Sequence, residues 1–158
     1  MAADYLRDTA RAMPQDNLEV VRAFYETVNR WLDAHWADPE QAVEEAPEFE
    51  EVMDRMTPDA EWDWLFSPDV FRGRPELVRA VADYLETVRE WQIEVGGLDE
   101  GTQDRVVASL EVVVRGKGSG TPVRQPVSCL VTVRDGKVAR LKDYTNRTEA
   151  LEAAGAAS

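Results

Sequence analysis

Cysteine and histidine are almost missing from the sequence. The chain of 158 residues contains one of each, Cys129 and His35. A single cysteine allows no disulfide within the chain, which favours the reducing cytoplasm as its location. Zinc and iron sites combine several imidazole, thiolate and carboxylate ligands at short spacings, and no such spacing surrounds either residue. We therefore expect no metal site and no cofactor, and Cys129, within the apolar run VSCLVTV, is typical of a small core residue.

Positive charge is also scarce. The chain has 31 acidic and 18 basic residues, a net charge of -13 and an isoelectric point near 4.5. Such a surface repels the phosphates of nucleic acids and anionic lipids. No apolar run approaches the length that crosses a bilayer, and the first segment, MAADYLRDTARAM, lacks the apolar core of a signal peptide. These absences argue against nucleic acid and membrane as partners, and they leave another protein or a small molecule that is neutral or cationic.

Apolar periodicity predicts that helices come first in the chain. With 44% hydrophobic and 31% charged residues, the composition is that of one globular domain with a core. From about Asn17 to about His35, apolar residues recur every three or four positions, which indicates an amphipathic helix. Two short helices should begin at Pro39 and Pro47, because proline favours the first helical turn. A further helix should run from about Pro75 to Glu90.

The remaining segments alternate in the manner of β-strands. PDAEWDWLF has a period of two, with Trp62, Trp64 and Phe66 on one side. Four extended segments after residue 90 are separated by glycine-rich or Asp-Gly turns, which predicts antiparallel neighbours. Helices must cover one face of such a sheet. We therefore predict an α+β fold and not a parallel nucleotide-binding sheet.

The last strand holds the best candidate for a working group, Asp143. Alternation predicts two faces, which are Ala139, Leu141, Asp143 and Thr145, and Val138, Arg140, Lys142 and Tyr144. If the Asp143 face looks inward, desolvation raises the pKa of its carboxyl group. Such an acid is either paired structurally or tuned for proton transfer. A strand-end aspartate that bonds to backbone is equally compatible with this pattern.

Aromatic residues could form the wall of a pocket around this carboxylate. They cluster from the tryptophan-rich strand to the end of the following helix, at Trp62, Trp64, Phe66, Phe71, Tyr84 and Trp91. Tyr25, on the apolar stripe of the first helix, is the hydroxyl donor best placed to reach the interior. The alternative for all these residues is plain core packing. His35, at a helix end among polar residues, is expected to be a surface cap.

Four segments together resemble the SnoaL-like branch of the nuclear transport factor 2-like superfamily: VRAFYETVNRW, PDAEWDW, FRGRPELVRAV and LVTVRDGKVARLKDYTNRTEALEAAG. The F-x-G-R turn and the DGK-V-x-x-L-x-D-Y strand are the most specific parts. The resemblance implies a SnoaL-like domain over residues 17–153, an N-terminal extension over 1–16 and a tail over 154–158. It also implies a cone-shaped α+β fold, in which a bent sheet wraps around about three helices and a deep pocket. Members usually form homodimers through the sheet.

The resemblance transfers only part of the family's catalytic residues. The aspartate that acts as acid and base in SnoaL-type cyclases matches Asp143, whereas the histidine of polyketide cyclases falls at Cys129. The arginine and aspartate of limonene epoxide hydrolase fall at Leu110 and Val112, and the base of ketosteroid isomerase falls at Trp64. What the resemblance implies is an apolar pocket with one carboxylate.

These observations predict a cofactor-independent enzyme that uses Asp143 as general acid or base on a small apolar molecule. Cyclisation, isomerisation and epoxide opening are the candidate reactions. The residues expected to contact the molecule are Tyr25, Trp62, Trp64, Phe66, Phe71, Tyr84, Val112, Cys129 and Val131. Two alternatives remain open: a non-catalytic binding or accessory domain with the same pocket, and an interaction module that uses the outer face of the sheet. The segment from about Trp31 to Met56, longer than is usual in the family, should alter the pocket mouth.

Overall fold

A computed structural model of the chain describes residues 14–118 and 120–155. The predicted extension over residues 1–16 therefore lies almost wholly outside the described residues. The helices are α1 (Pro14–Ala37), a 3-10 turn (Val43–Glu45), α2 (Pro47–Asp54), α3 (Gly73–Leu85) and α4 (Arg147–Ala154). The strands are β1 (Met56–Asp63), β2 (Val70–Arg72), β3 (Val88–Glu100), β4 (Arg105–Gly116), β5 (Val123–Arg134) and β6 (Lys137–Tyr144).

The six strands form one curved sheet in the order β2-β1-β6-β5-β4-β3. β3 to β6 are joined as an antiparallel meander, and β1 pairs with β6 in parallel. Because parallel neighbours need a long connection, the chain passes through α3 and the whole meander before β6 returns to β1. The α+β class and the wrapped sheet that the sequence predicts are confirmed.

The core lies between α1 and the inner face of the sheet. Alternate side chains of the long strands point inward, such as Val106 and Ala108 on β4 and Val131 on β5, and all three are fully buried. The stripe of α1 meets them with Val21 and Leu32, which are also almost wholly buried. The amphipathic helix predicted from Asn17 to His35 is present, and it extends by a few residues at each end.

A bulge in β6 changes the predicted faces of that strand. Thr132 pairs with Arg140, but Val133 pairs with Val138, so Ala139 is an extra residue in β6. Val138 consequently faces inward and is fully buried, and its predicted place beside the basic residues is wrong. Beyond the bulge the alternation holds, and Leu141 faces the core.

Two helix boundaries also differ from the prediction. α3 ends at Leu85 instead of Glu90, because the backbone amide and the hydroxyl of Thr87 both donate to the carbonyl of Tyr84 and close the helix. Val88, which falls on the predicted helical stripe, is instead the first residue of β3. Pro39 lies in a turn and begins no helix, whereas α2 does begin at Pro47.

The helix α4 occupies a segment for which the sequence predicts no helix. The side chain of Asn146 caps it by accepting from the amide of Glu149, and Gly155 ends it with φ of 71°. α4 packs against the outer face of the sheet at Val107 and Leu130.

The prediction that His35 is a surface cap is wrong, because its side chain is buried beside Trp31 and Trp36.

Candidate functional site

A cavity of about 100 Å³ lies between α1, α2, α3 and the inner face of the sheet. Its volume is of the order of the roughly 150 Å³ cavity that accepts benzene in another protein. Of the residues predicted at the site, it is lined by Tyr25, Trp62, Trp64, Phe66, Val112, Cys129 and Asp143. The chain therefore brings together the candidate carboxylate, one hydroxyl, one thiol and several aromatic rings around one small space.

Asp143 lies near the end of β6 with its carboxylate on the cavity wall. Its oxygen Oδ2 accepts a hydrogen bond of 3.1 Å from the backbone amide of Leu65, in the turn after β1. Burial raises the pKa of Asp143 above its ordinary value, and the negative charge of Asp63 adds to the rise. The hydrogen bonds from Leu65 and Cys129 oppose it. Both sequence interpretations thus describe the same group, since Asp143 bonds to backbone and also lines an apolar cavity.

Cys129 and Tyr25 complete the polar part of the cavity. Cys129 is the direct partner of Asp143 across the β5–β6 pair. Burial and the charge of Asp143 raise the pKa of the Cys129 thiol well above its ordinary value, so the thiol stays protonated beside the carboxylate. Burial likewise raises the pKa of Tyr25, and the neighbouring Cys129 adds to the rise. We call these three side chains the polar wall.

Another part of the cavity lining is aromatic. Trp62 and Trp64 are stacked with ring centroids 4.4 Å apart and planes 22° apart. Trp91 lies nearly parallel to Trp64 at 6.2 Å. Phe66 contacts Trp64 edge-on and is 44% exposed, which places it at the rim. β1 ends at Asp63, so Trp64 and Phe66 reach the cavity from a turn and not from the predicted strand.

Three residues predicted at the site do not line the cavity. Phe71 is on β2, opposite Trp62, and packs at 6.3 Å from that ring. Tyr84 lies behind two tryptophans that line the cavity, because its ring contacts Trp64 at 4.7 Å and Trp91 at 5.0 Å. Val131 shares the inner face of β5 with Cys129, but it is fully buried two residues further along the strand, where core side chains fill the space.

The part of the cavity that α2 contributes is not predicted from the sequence. Phe49, Val52 and Met53 line it, together with Met56 at the start of β1. Their spacing of three and four residues is a helical stripe and could have revealed them. It was obscured by the many acidic residues of the same segment.

Charge is distributed unequally between the two faces of β6. Among the described residues that line the cavity, none is basic. Arg140 pairs with Glu61 at 3.7 Å, and the Lys142 ammonium lies 5.3 Å from the centre of the Tyr144 ring. The Asp143 carboxylate therefore has no cationic partner in the cavity.

Within residues 14–118 and 120–155, no group of three or more histidine, cysteine, aspartate or glutamate side chains is arranged to hold a metal ion. No helix between residues 14 and 155 is both long and apolar enough to cross a membrane.

Comparison with known proteins identifies a family and a fold. The model of the SnoaL-like domain matches residues 21–141. The fold is shared with the epoxide hydrolase/cyclase-like enzyme SalBIII of pyran ring formation in the polyether salinomycin, at 19% identity and a TM-score of 0.64 over 86% of this chain and 96% of that one. It is also shared with an NTF2-like protein from Burkholderia pseudomallei K96243, at 15% identity and a TM-score of 0.65 over 88% and 97%.

A third structure of the same fold is TerC, co-crystallised with polyporic acid, at 20% identity and a TM-score of 0.60 over 90% of this chain and 99% of that one. At these identities the likeness shows the fold alone. No curated protein matches the chain significantly.

Proposed function

Because its residues 21–141 match the SnoaL-like domain, the chain belongs to the SnoaL-like family, and we propose that it is an enzyme that binds a small apolar molecule and uses Asp143 as general acid and base. The observation that carries the proposal is the Asp143 carboxylate on the wall of an apolar cavity without a cationic partner. Desolvation of such a carboxylate moves its pKa toward neutrality. An acid whose pKa lies nearer the working pH transfers protons more effectively.

The chemistry that one such group supports is a proton relay without a co-reactant. Asp143 takes a proton from the substrate, the electron pair left behind forms a new bond within the substrate, and the resulting carboxylic acid returns the proton to another atom. Cyclisation and isomerisation have this balance, and epoxide opening has it when an internal hydroxyl is the nucleophile. The description of SalBIII as an epoxide hydrolase/cyclase-like enzyme supports this group of reactions.

A probe that needs only a desolvated base tests the proposal. 5-Nitrobenzisoxazole loses a carbon-bound proton to a base, its N–O bond breaks, and a coloured cyanophenolate forms. We expect the protein to accelerate this reaction, and we expect Asp143→Asn to lower the rate by about 100-fold or more, the usual contribution of general base catalysis.

The matched control is Asp83→Asn, which removes an exposed carboxylate of α3 that does not line the cavity. That variant should keep the activity, whereas loss in both variants would point to general unfolding and is checked by circular dichroism. Equal rates for the wild type and Asp143→Asn would end the proposal.

A non-catalytic binding domain is the alternative function. It is favoured by the family resemblance, which implies that Cys129 stands where polyketide cyclases carry a histidine, so that the proton-transfer partner of the cyclases is missing. It predicts that apolar compounds bind in the cavity without being converted. A complex in which the ligand remains distant from Asp143 would favour this alternative over catalysis.

Two broader features are also proposals. A homodimer through the outer face of the sheet is supported by the family resemblance. Arg124 on that part of the sheet pairs with Glu94 and Glu111, so it would offer a charged contact surface. Sedimentation equilibrium tests it, and a monomer at micromolar concentration would contradict it. A cytoplasmic location rests on the single cysteine and is tested by fractionation.

A further inference from the structure

The cavity contains one carboxylate and no compensating positive charge. Asp143 lines it, and none of the described lining residues is lysine, arginine or histidine. Arg140 and Lys142, which precede Asp143 on β6, belong to the other face of the strand and have partners there. The amide of Leu65 donates to Asp143 Oδ2 at 3.1 Å, but an amide carries only a partial charge. A cation bound in the cavity would therefore supply the charge that the described lining lacks.

Aromatic rings border the same carboxylate. In the parallel pair of β1 and β6, Trp62 lies beside Leu141, so Trp64, two residues later, reaches the level of Asp143. The hydrogen bond from the Leu65 amide to Asp143 holds this turn against β6. The other aromatic residues of the lining are Phe24, Tyr25, Phe49, Phe66 and Trp91. The negative charge of Asp143 thus lies among rings whose faces are themselves electron-rich.

This combination of groups favours a cation over a neutral molecule of the same shape. A cation over the face of an aromatic ring, most of all an indole, is attracted by the ring quadrupole, and in a desolvated site one such contact corresponds to about 30-fold in affinity. The carboxylate adds direct attraction, which is strong where water is excluded. Removal of the cation from water opposes both contributions.

The rest of the lining selects the form of the cation. A primary ammonium group has three N–H donors that need acceptors, and Asp143 is the only carboxylate of the described lining. An alkylated ammonium ion needs fewer acceptors or none. Its alkyl surface also matches the aliphatic part of the lining, which includes Val28, Val52, Leu77 and Val81.

We propose that the cavity binds a compact alkylated ammonium ion, which places its positive charge beside the Asp143 carboxylate and among the aromatic rings. The volume of about 100 Å³ suits one nitrogen with small substituents. The net charge of -13 favours the same sign of ligand, because an acidic surface raises the local concentration of cations. The inference deepens the proposed function, on which it rests only in taking this cavity as the ligand site.

Protonation of Asp143 should weaken the binding of such an ion. The affinity for a permanent cation should fall as the pH falls through the pKa of Asp143, and a bound cation should lower that pKa by the same coupling. The titratable groups that face Asp143 are Tyr25 from α1, Cys129 from β5 and Asp63 from β1. Tyr25 and Cys129 stay neutral because burial raises the pKa of both. α2, α3, β3 and β4 contribute only uncharged side chains to the described lining.

The experiment compares choline with 3,3-dimethylbutan-1-ol. The two share their shape and their hydroxyl group, and they differ by a carbon in place of the charged nitrogen. Hydrogen bonds from the hydroxyl to Asp143 or from the indole N–H groups therefore cancel in the comparison. NMR titration at constant ionic strength follows the indole signals of Trp62, Trp64 and Trp91, which line the cavity. The signal of Trp36, which is not among the described lining residues, is the reference.

At neutral pH the wild type should bind choline about 10-fold or more tightly than the alcohol, and the ratio should shrink as the pH falls. Equal affinities, tighter binding of the alcohol, or choline that moves none of the three cavity signals would overturn the inference. A ratio that stays constant while Asp143 becomes protonated would also overturn it, and this measurement needs no variant.

Two variants locate the responsible charge. Asp143→Asn keeps the size of the side chain and removes its charge, so it should lower the affinity for choline about 10-fold or more and change that for the alcohol by less than about 2-fold. Asp83→Asn removes an exposed carboxylate of α3 and should leave both affinities unchanged. An equal loss of choline binding in both variants would indicate attraction to the acidic surface alone and would refute the site. Circular dichroism checks that both variants are folded.

The outcomes separate this inference from the proposed function. Preference for choline together with an unimpaired benzisoxazole reaction in Asp143→Asn would support cation binding and reject catalysis by Asp143. Loss of that reaction without any preference for choline would do the opposite.

Discussion

Removal of the Phe49 ring tests whether a side chain that lines the cavity also stabilises the folded chain. Phe49 is 1% exposed, packs at 5.0 Å from the Trp31 ring and lines the cavity. Truncation of a buried phenylalanine to alanine costs about 3–5 kcal/mol, because transfer energy is lost and the surrounding residues collapse only partly. A domain of this size has a total stability of about 5–15 kcal/mol. We therefore expect Phe49→Ala to remain folded but to lose a large share of its stability.

Urea unfolding followed by circular dichroism measures this loss. With a denaturant slope near 2 kcal/mol per M, a change of about 4 kcal/mol lowers the midpoint by about 2 M. Val123→Ala is the control, since Val123 is 57% exposed and surface changes stay within about 0.5 kcal/mol. Cyclohexanol should recover part of the Phe49→Ala loss by occupying the enlarged space. A loss below about 1 kcal/mol for Phe49→Ala would refute the assignment of Phe49 to a packed wall.

Two further predictions concern pH and the helix α4. The pKa of Asp143 in the folded chain is raised above the ordinary 3.8, so the protonated carboxyl stabilises the fold fully below pH 3.8, and this stabilisation is lost as the pH rises through the folded pKa. Urea unfolding from pH 4 to 8 should therefore show the wild type losing stability relative to Asp143→Asn. Parallel stability curves for the two proteins would contradict the burial of the charge. Asn146→Ala removes the cap of α4 and should cost about 1 kcal/mol, whereas Thr145→Ala, one residue earlier, should cost less; equal losses would mean that the cap contributes nothing.

The sequence predicts the architecture well because local patterns determine most of it. The stripe of α1 and the alternation around Asp143 both point in the predicted directions, and short turns fix the antiparallel meander. Val138 shows the limit of alternation, because one inserted residue at a bulge reverses every face before it. Thr87 shows another, since a side chain that closes a helix leaves no trace in the apolar periodicity.

The site is less predictable than the fold because it depends on how separate elements meet. Cys129 has the sequence context of an ordinary core residue, and only its place opposite Asp143 brings it to the cavity wall beside the carboxylate. The contact between Tyr25 and Cys129 joins α1 to β5, and it follows from the docking of the helix. Val131 and Tyr84 fail as lining residues for the same reason, since their depth behind the wall is a property of packing.

The parallel pairing of β1 with β6 has a consequence for the order of assembly. β1 is made early, but its inner neighbour in the sheet is the strand that leaves the ribosome after all the others. Until then the edge of β1 that faces β6 has no partner, and the aromatic residues of the cavity lack their contacts with β6. β3, β4 and β5 form contacts between neighbours in sequence, and such contacts form quickly. We expect the meander to form first and β6 to join the two halves, so that the last strand to be inserted also delivers the carboxylate.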